Sequence, residues 1–268
     1  MTAAQPHPPI AKGDHVEGLA KGLAVLECFG TERQRLNATQ AAGRAGLSRA
    51  AARRHLLTLA HLGYLDTDGH AYWLSPRVLR LAGSYLASAR LPRLTQPALD
   101  ALAARSGLVH SVAVLDGAEV VVVARSVPAL PGQRMVAHGI HLGARLPAHA
   151  TSTGKVLLAA LDPPALAHWL STYAGPDGLP GLTPHTQRDP AALRAALADI
   201  AARQHCHAGA EHEPGVHALA VPLQDIHGTT VAALNAIAVG DARAAARRLD
   251  TMLPLLRDSA AALRARLA

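Results

Sequence analysis

The stretch LNATQAAGRAGLSRAAARRHLLTLAHLGYLDTDGHAYWLS, from Leu36 to Ser75, constrains this chain more than any other. Gly46 suits the left-handed backbone that closes a helix, so a short helix is expected from Ala38 or Thr39 up to it. Ser48 then has the hydroxyl needed to cap a second helix. That helix carries Ala52, Leu56 and Leu59 on one apolar stripe, with Arg49 and Arg53 on the opposite side and Arg54 beside them. Asp68-Gly69 has the composition of a tight turn between Tyr64-Leu65 and Tyr72-Trp73-Leu74. Together these elements make a winged helix-turn-helix. Upstream, Leu19, Leu23 and Leu26 predict a supporting helix from Val16 to Phe29, closed by Gly30.

Charge suggests what such a unit meets. No acidic residue stands between Glu32 and Asp66, whereas Arg33, Arg35, Arg44, Arg49, Arg53 and Arg54 all do. A basic face on a recognition helix attracts DNA phosphate and can hydrogen-bond base edges in the major groove. The formal charge of +7 agrees with a nucleic-acid partner, while 3% aromatic residues leave little on which to stack unpaired bases. With two cysteines, Cys28 and Cys206, there is no disulfide framework, and a reduced cytoplasmic protein is expected. No run approaches the roughly 20 apolar residues of a membrane span, so no membrane partner is expected.

At 268 residues there is room for two domains. The expected organisation is a disordered tail over 1–14, a winged helix-turn-helix over 15–76, a linker helix over 77–92 and a second domain over 93–268. Pro76 opens the linker helix, Pro92 marks its boundary, and Pro97 or its neighbour starts another helix through Ala104. Val109–Leu115 and Glu119–Arg125, joined at Asp116-Gly117, read as a hairpin, with a third strand from Gln133 to His138. Helices are expected over Thr151–Leu161, Pro164–Tyr173 and Pro190–Gln204, the last capped by Asp189. Strands follow at Cys206–Gly209, His217–Gln224 and Thr229–Val239, then a closing helix from Asp241 to Leu267. Strand pairs with helices on one side give an α+β domain with an antiparallel sheet.

Residues 143–155, GARLPAHATSTGK, place Thr151, Ser152 and Thr153 where a helix starts. Unpaired amides there suit an anion, one carboxylate being the simplest fit, and Gly154 would let it approach the backbone. The plainer reading is that Thr151 or Ser152 is merely the cap. The segment is no phosphate-binding Walker loop, because His149 and Val156 replace the required glycine and hydroxyl. His205, His207, His212 and His217 cluster around Cys206, Glu211 and Glu213. They could hold a metal, line a pocket or simply face water; a zincin site is excluded by Val216 and by Pro214-Gly215. No metal and no cofactor is expected. No catalytic triad is readable, so an enzyme is not expected.

The segments LAKGLAVLECFG, AGLSRAAARRHLLTLAHLGYL, VLDGAEVVVVAR, LGARLPAHATSTGKVLLA, EHEPG and HALAVPLQDIHGTTVAALN resemble, in order and spacing, the IclR-type transcriptional regulators. SRAAARRHLLTL and VAALN are most similar to the branch sensing aromatic acids such as protocatechuate or 4-hydroxybenzoate. The resemblance implies a homodimer or dimer of dimers on a palindromic operator of double-stranded DNA, with a GAF-like effector domain. It implies that Ser48, Arg49, Ala50, Arg53 and Arg54 belong to the DNA-reading helix, with Thr39 and Gln40 near the backbone. It also implies that His149, Thr151, Ser152, Thr153, Gly154, Glu211, His217, Leu219, Asn235 and Ile237 line the effector pocket. Control of a catabolic operon by a small aromatic carboxylate is the function it implies. A non-aromatic acid, or a small-molecule-binding protein that meets no DNA, are the alternatives.

Overall fold

The computed structural model describes residues 10–30, 33–128 and 141–267. They fall into two compact units that divide between Ser88 and Ala89. The predicted strand from Gln133 to His138, and most of the predicted tail, lie outside the described residues.

The first unit holds α1 (Glu17–Leu26), α2 (Ala38–Ala45), α3 (Arg49–His61), the strands β1 (Leu65–Thr67) and β2 (Tyr72–Leu74), a 3-10 turn at Pro76–Val78 and α4 (Leu79–Ser88). Its local chemistry is explicit. Asn37 Oδ1 accepts from the amides of Thr39 and Gln40 at 3.0 Å, and Gln40 Oε1 accepts from the Asn37 amide at 2.9 Å, a reciprocal cap for α2. Gly46 ends that helix at φ 65°, and the Ser48 hydroxyl accepts from Ala51 N at the start of α3. Ala41, Ala52, Leu56, Leu65 and Tyr72 bury together, and Leu36 pairs with Tyr72 as an isolated bridge beside the wing. Asp68 Oδ1 closes the wing by accepting from the amides of His70 and Ala71.

The supporting helix departs from expectation. It ends at Leu26, and Leu19 and Leu23 face solvent while Val25 is buried. Val25 sets its buried face, with Leu26 packed beside it against the core shared with α2 and α3, and Gly22 lies beside His55, where an added Cβ would meet Nδ1 at an ordinary 3.7 Å.

The second unit is an antiparallel sheet with helices on both faces, rather than on one side as expected. Its elements are α5 (Arg90–Ser106), β3 (Val109–Asp116), β4 (Glu119–Ser126), β5 (Arg145–Pro147), a 3-10 turn (Ala148–Ala150), α6 (Ser152–Ala159), α7 (Pro163–Tyr173), α8 (Pro190–Arg203), β6 (Cys206–Gly209), β7 (Val216–Gln224), β8 (Thr230–Val239), α9 (Ala242–Asp250) and α10 (Leu253–Arg264). The strand order is β5-β4-β3-β8-β7-β6. Strand alternation sends Val112, Leu219, Val221, Leu234 and Ala236 to a core under α5, α9 and α10. Ala113, Val120, Ala220 and Ala233 go to the other core, with Leu157, Trp169, Leu193 and Leu197 from α6, α7 and α8.

Two proline readings are corrected. The helix expected to start near Pro97 starts at Arg90 and runs through both Pro92 and Pro97. Pro92 stands in the first turn, where an amide would be unpaired in any case. The single closing helix is instead two, because Pro254 at the second position of α10 cannot extend a helix arriving from α9.

Candidate functional sites

In the first unit, the inward face of α3 is fixed by Ala52 and Leu56, both fully buried. Arg49, Ala50, Arg53 and Arg54 are therefore exposed. The guanidinium groups of Arg49, Arg53 and Arg54 have no hydrogen bond or ion pair among the described residues. Arg35 and Arg44 differ. Arg35 sits 3.4 Å from Asp68 and stacks over Trp73, and Arg44 donates to Cys28 O. Thr39 and Gln40 are exposed on the first turn of α2, and Ser48 is committed to its capping bond.

In the second unit, a pocket opens between the start of α6 and the sheet. Its walls are Leu146, Ala150, Ala208, Val216, Ala218 and Ile237, and its polar groups belong to Thr151, Ser152, Thr153, Glu211, His212 and Asn235. Thr151 is the cap, accepting from Gly154 N at 3.1 Å and donating to Pro147 O. Ser152 is thus freed from capping: it is 1% exposed, and its Oγ is buried with no partner. Its own amide and that of Thr153 belong to the first turn and have no carbonyl within the helix to bond. Positive dipole, free amides and a free hydroxyl converge on one end of the pocket.

The other polar groups are partly engaged. Lys155 Nζ donates to both oxygens of Glu211, at 2.5 and 2.6 Å, which ties the loop before β7 to α6. The same loop is held by Thr183 Oγ1 on Ala210 O and Thr186 Oγ1 on Glu211 O, each at 2.6 Å. Asn235 Oδ1 accepts from Ser111 N at 3.0 Å and Ser111 Oγ at 2.7 Å, so the amide nitrogen remains for the pocket. Register puts Arg125, Ser111 and Asn235 in one polar row across β4, β3 and β8, and Arg125 Nε is buried without a partner. His212 Nδ1 is likewise buried and unpartnered. Burial lowers the pKa of His212, against a smaller opposing effect of Glu213, and keeps the ring neutral.

Of the expected pocket residues, Thr151, Ser152, Thr153, Glu211, Asn235 and Ile237 come together here. Four do not line it. His149 is buried behind the wall, its Nε2 2.9 Å from Pro180 O, and burial lowers its pKa. Gly154 serves packing: an added Cβ would stand 2.6 Å from the Ala148 carbonyl carbon and nearer still to Ala148 O and Cα. His217 and Leu219 occupy the opposite face of β7, Leu219 deep in the other core. A slip of one residue exchanges faces, and Val216 and Ala218 are the wall residues. Their positions follow once Ile237 is known to face the pocket, because Ala218 pairs with Ile237 and Val216 with Val239. Of the histidine cluster, His212 reaches the pocket; among the described residues no three His, Cys, Asp or Glu side chains gather as a metal site.

Two family models match this chain. The IclR helix-turn-helix domain covers residues 18–69, and the bacterial transcriptional regulator IclR C-terminal domain covers 83–265. The chain belongs to the IclR family. This regulator is 48% identical over 264 residues to the p-hydroxybenzoate hydroxylase transcriptional activator of Acinetobacter baylyi, spanning 97% of this chain and 96% of that one. It is 46% identical to the Pca operon regulatory protein of the same organism, over 94% and 89% of the two chains. Its effector half superposes on the inducer-binding domain of a PobR double mutant from Acinetobacter in complex with 3-hydroxybenzoic acid. That match has 41% identity and a TM-score of 0.59, covering 65% of this chain and 97% of that domain. The regulator is therefore a DNA-binding transcription factor with a separate effector-binding domain, and its relatives are regulators rather than enzymes. No helix among its described residues is long and apolar enough to cross a membrane.

Proposed function

We propose that the regulator controls an aromatic-catabolism operon in the cytoplasm, and that its effector is a small aromatic carboxylate held at the start of α6. One observation carries this reading: Ser152 Oγ, fully buried and unpartnered, beside the free amides of Ser152 and Thr153 in a pocket whose apolar walls are Leu146, Ala150, Ala208, Val216, Ala218 and Ile237. A carboxylate satisfies those donors, and a flat ring matches the apolar walls. The named functions of the two Acinetobacter regulators, and the acid in the PobR complex, support the same ligand class.

At the other end of the chain, Arg49, Ala50, Arg53 and Arg54 are the residues that enter the major groove, with Thr39 and Gln40 beside the phosphate backbone. A second copy of the chain would double this reading head on a palindromic operator. Exposed Leu19 and Leu23 on α1, with Leu79, Leu81 and Tyr85 on α4, supply apolar surface for such pairing. The acid acts by binding one arrangement of the paired heads more tightly than another.

Calorimetric titration with benzoate and its hydroxylated forms tests the site. Ser152→Ala is expected to weaken binding about tenfold, the loss of one charge-assisted hydrogen bond of about 1.5 kcal/mol or more. An unchanged affinity would remove the carboxylate from this helix.

A further inference from the structure

The carboxylate accounts for one set of orphaned atoms in the pocket and leaves another. The free amides and the Asn235 amide nitrogen only donate, and the hydroxyl of Ser152 can do so. Both carboxylate oxygens of Glu211 are already engaged, by Lys155 and at Oε2 also by Gln187 N, and Asn235 Oδ1 accepts twice from Ser111. His212 Nδ1 is buried in the pocket wall without a partner; in the tautomer protonated at Nε2, the one taken below, it presents a lone pair. A carboxylate brings no proton and cannot satisfy it.

Resting on the aromatic-acid reading above, we infer that His212 is the specificity-determining residue for a hydroxyl group on the ring, accepting a hydrogen bond from that hydroxyl at Nδ1. A phenol is a strong neutral donor, and imidazole nitrogen is a good neutral acceptor. An unsubstituted ring leaves Nδ1 buried and unpaired, the situation in which a polar site rejects an analogue most strongly. His212 is placed for this by its loop. Ala210 adopts φ 55° and Gly215 φ 75°; the Lys155–Glu211 pair with the Thr183 and Thr186 bonds fixes the segment before the ring, and Val216 N on Glu213 O with Gly240 N on Gly215 O holds the segment after it.

The test compares affinities of the full-length protein for benzoate, 3-hydroxybenzoate and 4-hydroxybenzoate by calorimetry. The wild type is expected to bind one hydroxybenzoate at least about tenfold more tightly than benzoate. In His212→Leu that ratio falls to about two or less, and in His212→Gln, whose amide oxygen can still accept, part of the preference returns. Circular dichroism melting of each variant verifies that it is folded. A hydroxyl preference that survives in His212→Leu overturns the assignment, as does equal weakening of all three acids, which would make His212 a carboxylate partner. Binding of all three acids without preference by the wild type overturns this inference alone. Failure of the wild type to bind any of them overturns the aromatic-acid reading and this inference with it.

Discussion

Lys155 Nζ lies 2.5 and 2.6 Å from the two carboxylate oxygens of Glu211, and the side chains are only 8% and 12% exposed. The pair joins the helix that offers its free amides to the pocket with the loop that carries His212. Removing one partner leaves an uncompensated charge on a largely buried side chain, a loss of about 3–5 kcal/mol. Lys155→Met and Glu211→Leu should each lower the calorimetric melting temperature of the effector half, and the double variant should melt above either single one. Additive losses would mean that the two charges do not depend on each other.

Gly154 makes a different demand on the same helix. Its missing side chain lets the Ala148 backbone pass within contact distance, so Gly154→Ala forces either α6 or the preceding turn to move. The cost should fall at the upper end of about 1–3 kcal/mol, as for overpacked cores. Thermal melting without any acid present checks this. Loss of acid binding with no change in stability would show instead that the glycine serves the ligand directly.

Arg53→Ala is expected to weaken operator binding by about 1–3 kcal/mol, the worth of a bidentate contact to guanine, with far less effect on random duplex. Fluorescence anisotropy on both duplexes separates the cases. Equal losses on both would place Arg53 on phosphate rather than on a base.

His110 makes stability depend on pH. It is fully buried between Ser106 Oγ at 2.9 Å and Asn235 O at 3.1 Å, and burial pushes its pKa down from 6.5 to about 4. The folded state therefore holds the ring neutral, while the unfolded chain takes up a proton below pH 6.5. The stabilisation is complete above that pH and is lost as pH falls towards 4, by roughly 1.4 kcal/mol per unit and on the order of 3 kcal/mol in all. Melting temperatures from pH 7.5 to 4.5 should fall more steeply for the wild type than for His110→Asn. Parallel curves would show that His110 does not govern the slope.

How far the sequence carried the reading depends on whether the deciding contact was local. The caps at Asn37, Ser48 and Asp189 and the left-handed Gly46 are near-neighbour effects, and the helix boundaries they set were legible to within a residue or so. The outward turn of Leu19 and Leu23 was not, because which face of α1 packs is decided by contacts with α2 and α3, distant in sequence. Pro92 was read as a boundary and Pro97 as a helix start, although α5 runs through both, and Pro254 was passed over, since a proline interrupts or opens a helix according to its place in the turn. In the pocket, composition led to the Thr151–Thr153 segment but could not say which hydroxyl caps and which is free. Val216 and Ala218 were missed for His217 and Leu219 because strand phase is set by pairing with β8.

Arg49, Arg53 and Arg54 stand on α3 with no acidic neighbour to let go of among the described residues. Meeting a duplex therefore requires no internal bond to be broken first. On the proposed reading, small ions displaced from the phosphates contribute to the drive, so the complex should loosen as the salt content of the solution rises.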